Sequence, residues 1–159
     1  MTIKIRQMFK KDKTALMKIL QNTPEFKPSE LVVAEEVIDS YLYNSVGSGY
    51  YVLVAEDGSA VVGYICYGPT PLTDGTWDIY WQVVAGEKQR QGIGGTLIRA
   101  AEEKIRRAQG RLAIIETSSM AAYEKTRRFY LSHGYGIIGC IPDFYAPGDD
   151  KLILQKRLR

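Results

Sequence analysis

A strand that runs through a glycine-rich loop into a long amphipathic helix constrains the fold of this chain more than any other feature. The strand is predicted over residues 76–84, and the loop reads Gln89-Arg90-Gln91-Gly92-Ile93-Gly94. The helix, from Gly92 to Gln109, has its apolar side chains on one face. Glycines let backbone N–H groups approach a ligand closely, and the positive end of the helix dipole faces the same point. The segment therefore predicts an anion site that suits a pyrophosphate.

The remaining elements predict an α/β protein with a mixed (α+β) sheet and helices on both faces. Hydrophobic periodicity gives the order β-α-α-β-β-β-α-β-α-β-β. We expect Ser29 to cap the second helix, a later helix to run from about Met120 to His133, and residues 142–150 to form a loop between the last two strands. A chain of 159 residues without an internal repeat or linker is expected to form one domain over residues 1–159.

The sequence predicts neither a membrane-spanning segment nor a secretion signal. No apolar run approaches the ~20 residues that span a bilayer, and the start MTIKIRQMFKKDK lacks the apolar segment of a secretion signal. We therefore expect a cytoplasmic protein that does not bind membranes. Cys66 and Cys140 each lie in an apolar run and are expected to be core thiols, and His133 is the single histidine. A metal site is therefore not expected.

Charge is distributed unevenly along the sequence. Residues 28–87 contain nine acidic residues and no Lys or Arg, whereas residues 88–128 contain ten Lys or Arg against four Glu. The basic part begins one residue before the glycine-rich loop, so we assign it to a phosphate-bearing ligand. A nucleic-acid partner is not expected, because the preceding acids interrupt any continuous basic face.

Two motifs together resemble those of one enzyme family. The P-loop and the dinucleotide fingerprint do not match the glycine-rich loop, but Q/R-x-x-G-x-G does, with Gln89, Gly92 and Gly94. A later predicted helix reads YEKTRRFYLSHGY and places Tyr130 four residues before Gly134-Tyr135. With the order of elements, this resembles the GCN5-related N-acetyltransferase (GNAT) superfamily. The chain departs from that pattern at Tyr123 and Thr126, where the family often has Asn and Ala.

The resemblance implies direct transfer of an acetyl group from acetyl-CoA to a primary amine. By the same resemblance, Tyr130 is the general acid that protonates the leaving thiolate, which suits a phenol with a pKa near 10. The implied acetyl-CoA site uses backbone groups of Gln82, Val83 and Val84 for the pantetheine arm. For the pyrophosphate it uses the loop residues Gln89, Arg90, Gln91, Gly92, Ile93 and Gly94. Arg127 and Arg128 are candidates for the 3′-phosphate.

Two carboxylates are candidates for the general base. Alternation along the strand predicts that Asp78, Tyr80, Gln82 and Val84 share one face, which would turn Asp78 toward a cleft. Asp78 also lies eleven residues before Gln89, where the histone-acetylating branch of the superfamily has its base. Glu116, at the end of the next strand, is the competing candidate.

The acceptor is expected to be a cationic amine: a small amine, an amino acid, or an amine of a peptide or protein. Acidic and aromatic residues crowd the regions that should surround it, and these residues attract cations. They are Glu35, Glu36, Asp39, Tyr41, Tyr43, Tyr67, Asp74, Asp143, Phe144, Tyr145, Asp149 and Asp150. A homodimer is compatible with this interpretation. The alternative function is a non-catalytic acyl-CoA-binding regulatory module of the same fold.

Overall fold

The computed structural model describes residues 2–159, in which seven strands form one sheet. The strands are β1 Ile3–Gln7, β2 Tyr51–Asp57, β3 Ala60–Pro69, β4 Thr76–Val84, β5 Leu112–Ser118, β6 Gly136–Ala146 and β7 Asp149–Arg157, in the spatial order β1-β2-β3-β4-β5-β7-β6. The helices are α1 Lys13–Gln21, α2 Pro28–Tyr43, α3 Ile93–Arg107 and α4 Glu124–Ser132. The predicted fold class and order of elements are confirmed.

Each face of the sheet is covered by its own pair of helices. On the α1/α2 face, Leu16, Leu20 and Ile38 pack against β2 and β3. On the α3/α4 face, the apolar stripe of α3 packs against the same strands and β4, and Leu97 and Ile105 are fully buried. Burial of one such side chain contributes about 1.5–3 kcal/mol, so these two layers fix α3 and its preceding loop on the sheet.

A β-bulge at Tyr80 divides β4 into two halves. In the pairing with β3, Tyr67 is opposite Ile79 and Cys66 is opposite Trp81, so Tyr80 is an extra residue. Before the bulge, Ile79 belongs to the α3/α4 core; after it, Trp81 and Val83 belong to the α1/α2 core. The alternation predicted for this strand is therefore wrong. Asp78 faces the α1/α2 side, whereas Gln82 and Val84 face α3.

The parallel strands β4 and β5 pair only at their beginnings. Thr76 to Asp78 pair with Leu112 to Ile114, and beyond these residues the two strands have no ladder between them. On its other edge, β4 remains paired with β3 as far as Val84. The strands therefore diverge into a gap, and the β5-facing backbone groups of residues 79–84 lack a strand partner.

Local predictions fail at three further places. The helix α2 begins at Pro28, with Lys27 rather than Ser29 as its N-cap, since proline suits the first helical position. Residues 142–150 are a hairpin end rather than a loop, because β6 continues to Ala146 and the Asp143 carboxylate accepts a hydrogen bond from the Gly148 amide. Because β6 is an edge strand, Cys140 is exposed and not a core thiol, whereas Cys66 is buried.

Residues 2–159 contain no helix of the length and hydrophobicity that would cross a membrane.

A buried carboxylate connects α3 to β7 and to the chain after α4. Glu102 is 2% exposed and accepts hydrogen bonds from the Tyr135 hydroxyl at 2.8 Å and from Lys156 Nζ at 2.9 Å. The Tyr135 ring in turn lies edge-on to Tyr130, 5.9 Å between centroids. The Glu102 cluster therefore fixes Tyr135, which in turn packs against the Tyr130 ring.

We expect Glu102→Leu to destabilise the protein by about 3 kcal/mol, because it leaves the Lys156 ammonium half-buried without its counter-ion. The matched control is Glu103→Gln, which removes an exposed ion pair with Arg107 on the same helix and should cost under about 1 kcal/mol. Urea denaturation of both variants measures the difference. Equal stabilities of the two would contradict a structural role for the Glu102 cluster.

Candidate active site

The loop before α3 has the backbone conformation of an anion site. Arg90 and Gly92 have positive φ angles of 64° and 84°, and Gly92 is the N-cap of α3. The first amide bonded within the helix is that of Thr96, which donates to the Gly92 carbonyl at 3.1 Å. The N–H groups of Ile93, Gly94 and Gly95 therefore precede the helical ladder and are available to a ligand.

The side chains of this loop have separate tasks. Gln89 donates its amide to the Val84 carbonyl at 3.1 Å, and Gln91 donates to the Glu87 carbonyl at 3.4 Å. These two amides hold the loop against the end of β4. Ile93 is buried in the α3/α4 core, so only its backbone can contact a ligand. Arg90 is exposed and is the cation that the loop presents to solvent.

Gly94 and Gln82 lie together where the loop meets β4. A Cβ atom on Gly94 would lie 2.9 Å from Gln82 Nε2 and 3.1 Å from Phe129 Cε1, so the close approach requires glycine. Among the buried side-chain polar atoms of residues 2–159, only Gln82 Oε1 lacks a hydrogen-bond partner. An unpaired buried acceptor costs about 1–3 kcal/mol, which a ligand N–H group could recover.

We expect Gly94→Ala to weaken coenzyme A binding roughly tenfold or more, because the added methyl group must displace Gln82 or Phe129 at a cost of about 1–3 kcal/mol. Gly86→Ala is the matched control, since a Cβ atom there meets nothing within 4 Å. Isothermal titration with coenzyme A measures both. Equal affinities would mean that this contact does not shape the site.

Tyr130 lies on the α3/α4 side, buried between two aromatic rings. Phe129 contacts it edge-on at 5.2 Å and Tyr135 at 5.9 Å between centroids, and only 4% of the residue is exposed. Burial raises the pKa of the Tyr130 phenol, so it stays protonated at neutral pH. The hydroxyl is not among the buried atoms without a partner, so it either contacts solvent or is satisfied.

Asp78 lies on the opposite face of the sheet. Its Oδ2 accepts a hydrogen bond from Thr70 Oγ1 at 2.7 Å, which orients the carboxylate and leaves Oδ1 free for a proton. Tyr80 lies beside it: burial first, and then the negative charge of Asp78, raise the pKa of Tyr80 to about 12. Tyr80 also contacts Tyr50 edge-on at 5.4 Å. Asp78 therefore combines a fixed position with a free oxygen.

Glu116 shares that face but is already paired. By alternation from the buried Ile115, it points to the α1/α2 side, as Asp78 does, and its carboxylate lies 2.9 Å from Lys151 Nζ. The same ammonium lies 3.6 Å above the Phe144 ring. Glu116 therefore already has a cation as its partner, whereas the partner of Asp78 is a hydroxyl.

The residues predicted around the acceptor fall into different places. Burial, and then the negative charges of Glu116 and Asp149, raise the pKa of Tyr145. Tyr123 completes this group: its hydroxyl donates to the Glu25 carbonyl at 3.2 Å.

Other predicted contacts are used elsewhere. Glu35 and Asp39 pair with Lys13, Asp143 and Asp150 close the β6–β7 hairpin, and Tyr41 and Tyr67 line a separate cavity. Arg127 donates to the Ser118 and Met120 carbonyls, and Arg128 pairs with Glu124. Arg127 is thus engaged within the protein, whereas Arg128 is exposed in a surface ion pair, and its contact with a 3′-phosphate stays a prediction.

Sequence reasoning missed Thr70 and Glu30 as neighbours of the candidate site, whereas it placed Tyr80 on the face of Asp78. Thr70 comes close to Asp78 only through the β3–β4 hairpin. Glu30 approaches Tyr123 across 93 positions of the sequence, and its charge contributes to the raised pKa of that phenol after burial. None of these contacts can be recognised from a short stretch of the sequence.

Comparison with known proteins agrees with this architecture. A family model described as the acetyltransferase (GNAT) domain matches residues 48–137. A GNAT-family protein from Desulfovibrio desulfuricans is 34% identical, with a TM-score of 0.96 over 99% of this chain and 100% of that one. Among curated proteins, none matches this sequence.

Two more distant structures share the fold. A ribosomal-protein-alanine N-acetyltransferase from Brucella melitensis is 27% identical, with a TM-score of 0.78 over 97% of this chain and 99% of that one. An N-acetyltransferase from Thermoplasma acidophilum, solved with coenzyme A, is 15% identical, with a TM-score of 0.77 over 99% of each chain. On the domain match and the 34% identity over nearly the whole length, this chain belongs to the GNAT acetyltransferase family.

Proposed function

We propose that this protein transfers an acetyl group from acetyl-CoA directly to a primary amine that carries or adjoins positive charge. The observation that carries the proposal is the gap between β4 and β5, with Tyr130 on one face of the sheet and Asp78 on the other. A donor in the gap would be within reach of an acid from the α3/α4 side. An acceptor would enter from the α1/α2 side.

Several polar groups around the gap lack a hydrogen-bond partner in the protein and could bind acetyl-CoA. Backbone groups of Gln82, Val83 and Val84 that face the gap can pair with the pantetheine amides as an added strand, apart from the Val84 carbonyl, which accepts the Gln89 amide. Gln82 Oε1 can accept a further N–H. The first amides of α3, with Arg90, suit the pyrophosphate. Acetyl-CoA supplies the acetyl group as a reactive thioester.

The protein residues then handle two protons and one developing charge. Asp78 Oδ1 takes a proton from the ammonium group, which frees the nitrogen lone pair to form the C–N bond. Backbone N–H groups of β4 stabilise the thioester oxygen as it gains negative charge. The Tyr130 hydroxyl protonates the sulfur as the C–S bond breaks, and the nitrogen releases its second proton to solvent as the amide forms. Proton exchange with solvent then returns Asp78 to its carboxylate and Tyr130 to its phenol.

The charge on the α1/α2 side supports a cationic acceptor. Four carboxylates and two phenols lie near one another there, with Lys151 as their cation: Glu25, Glu30, Glu116, Asp149, Tyr123 and Tyr145. Carboxylates attract ammonium and guanidinium groups, and phenol rings add cation–π contacts. The Brucella relative is named for acetylating the alanine of a ribosomal protein, so an N-terminal amine of a basic peptide is one acceptor to test.

Two peptides with the same N-terminal alanine test the acceptor's charge. We expect Ala-Arg-Arg to be acetylated with a kcat/KM at least tenfold above that of Ala-Glu-Glu, which corresponds to about 1.4 kcal/mol of electrostatic preference. A diamine and an aminoglycoside extend the series to small cations. Glu30→Gln should narrow the difference between the peptides. Equal rates, or preference for the acidic peptide, would contradict the proposed acceptor, whereas binding of acetyl-CoA without any turnover would favour the non-catalytic module.

A further inference from the structure

A second cavity lies at the end of the sheet away from the glycine-rich loop. Its volume is about 220 Å³, and its walls include Trp77 at the start of β4 and Lys104 and Ala108 at the far end of α3. The loop that starts α3 follows the opposite end of β4. The cavity is therefore separate from the proposed acetyl-CoA site.

Four of the nine residues that line the cavity are aromatic. Tyr51 stacks on Tyr67 with 5.6 Å between centroids and 24° between planes, and Trp77 lies 5.6 Å from Tyr51 and 6.0 Å from Tyr67. Tyr41, from the last turn of α2, completes the lining. A wall of contiguous rings favours a planar ring in the ligand. The volume lies below the usual 300–1,000 Å³ of ligand pockets, which limits the ligand to about one ring.

The phenol hydroxyls of this cavity have no partner in the protein. Tyr41 and Tyr67 are 6% and 2% exposed, and neither hydroxyl is hydrogen-bonded within residues 2–159. Tyr41, Tyr51 and Tyr67 all line the same cavity. The hydroxyls of Tyr41 and Tyr67 are not among the enclosed polar atoms that lack a partner, so they contact open space. The cavity therefore offers phenol donors that no protein group occupies.

Lys104 supplies the charge. It is the one charged residue in the lining and forms no ion pair within the described part of the chain. A cationic ligand would be repelled there and would find no carboxylate to bind. An anionic group would meet an ammonium and the phenol donors together.

We propose that this cavity binds a small aromatic carboxylate, with its ring against Tyr67 and Trp77 and its carboxylate at Lys104 and the phenol hydroxyls. The four observations that carry the proposal are the cavity itself, the stacked rings, the phenol hydroxyls without a protein partner and the unpaired ammonium. This ligand is distinct from acetyl-CoA and from the amine acceptor.

The two tryptophans of the chain allow a direct test with benzoate as the probe. Trp77 lines the cavity, whereas Trp81 lies on the other face of the sheet and donates to the Tyr64 hydroxyl. We expect saturable quenching of fluorescence in wild type and in Trp81→Phe, and none in Trp77→Phe. Benzylamine, which has the same ring and the opposite charge, should bind at least tenfold more weakly.

Lys104→Gln removes the charge of the side chain and keeps it polar, and should weaken benzoate binding at least fivefold. Because this residue is exposed, the variant is expected to fold, and titration calorimetry checks the affinity without fluorescence. Absence of saturable benzoate binding, or equal affinity for benzylamine, would overturn the proposal. The titrations contain neither acetyl-CoA nor an amine acceptor, so their result is independent of the proposed acetyl transfer.

Discussion

Tyr130→Phe is expected to lower kcat about 100- to 10,000-fold, the usual contribution of a general acid. Phenylalanine keeps the edge contacts with Phe129 and Tyr135, so the core and the affinity for coenzyme A should change little. The variant loses only the proton donor. Release of free thiol from acetyl-CoA measures turnover, and titration calorimetry measures cofactor affinity.

The pH profile adds a second readout for Tyr130. Because burial raises the pKa of the phenol above its ordinary value near 10, its protonated form persists throughout the neutral and mildly alkaline range. We therefore expect no loss of wild-type kcat from this group up to about pH 10. Tyr43→Phe is the control, since Tyr43 is 93% exposed and remote from the core. Unchanged turnover of Tyr130→Phe with coenzyme A still bound would assign Tyr130 to packing alone.

Asp78→Asn is expected to lower kcat/KM by a similar factor, about 100- to 10,000-fold, because the amide cannot take the proton of the ammonium group. Asparagine retains the volume and can still accept the hydrogen bond from Thr70, so the fold and the affinity for acetyl-CoA should be preserved. Turnover of a cationic amine at saturating acetyl-CoA measures the loss.

Glu116→Gln is the matched control for that substitution. Both carboxylates face the α1/α2 side, but Glu116 is held by Lys151, and its replacement should change kcat/KM less than tenfold. A large loss in Glu116→Gln together with a small loss in Asp78→Asn would exchange the roles of the two residues. Small losses in both would mean that solvent takes the proton.

The strand, loop and helix of residues 76–107 could be predicted because their signals are local. The positive φ at Gly92 and the apolar stripe of α3 each depend on residues within a few turns of each other. Local chemistry therefore predicted the phosphate loop, whereas the role of Tyr130 as the acid was implied only by the family resemblance and stays a prediction.

The face of Asp78 relative to Gln82 could not be predicted, because it depends on pairing with β3. Nothing in the residue types of TWDIYWQVV marks Tyr80 as the extra residue of the bulge. The short pairing of β4 with β5 is also invisible in either strand alone. Arg127 illustrates the same limit, since its carbonyl partners belong to the chain between β5 and α4.

The bulge at Tyr80 reverses which residues of β4 face each side of the sheet: even-numbered residues face α1/α2 before it and α3 after it. Ahead of it the even position Asp78 serves the side from which an amine would arrive; beyond it the even positions Gln82 and Val84 serve the side of the thioester. Deleting Tyr80 would remove the bulge but leave these faces unchanged, because Ile79 on the α3 side would then be followed directly by Trp81 on the α1/α2 side. Tyr80 is therefore an inserted position: the bulge lets it lie beside Asp78 while Gln82 and Val84 keep their place toward α3.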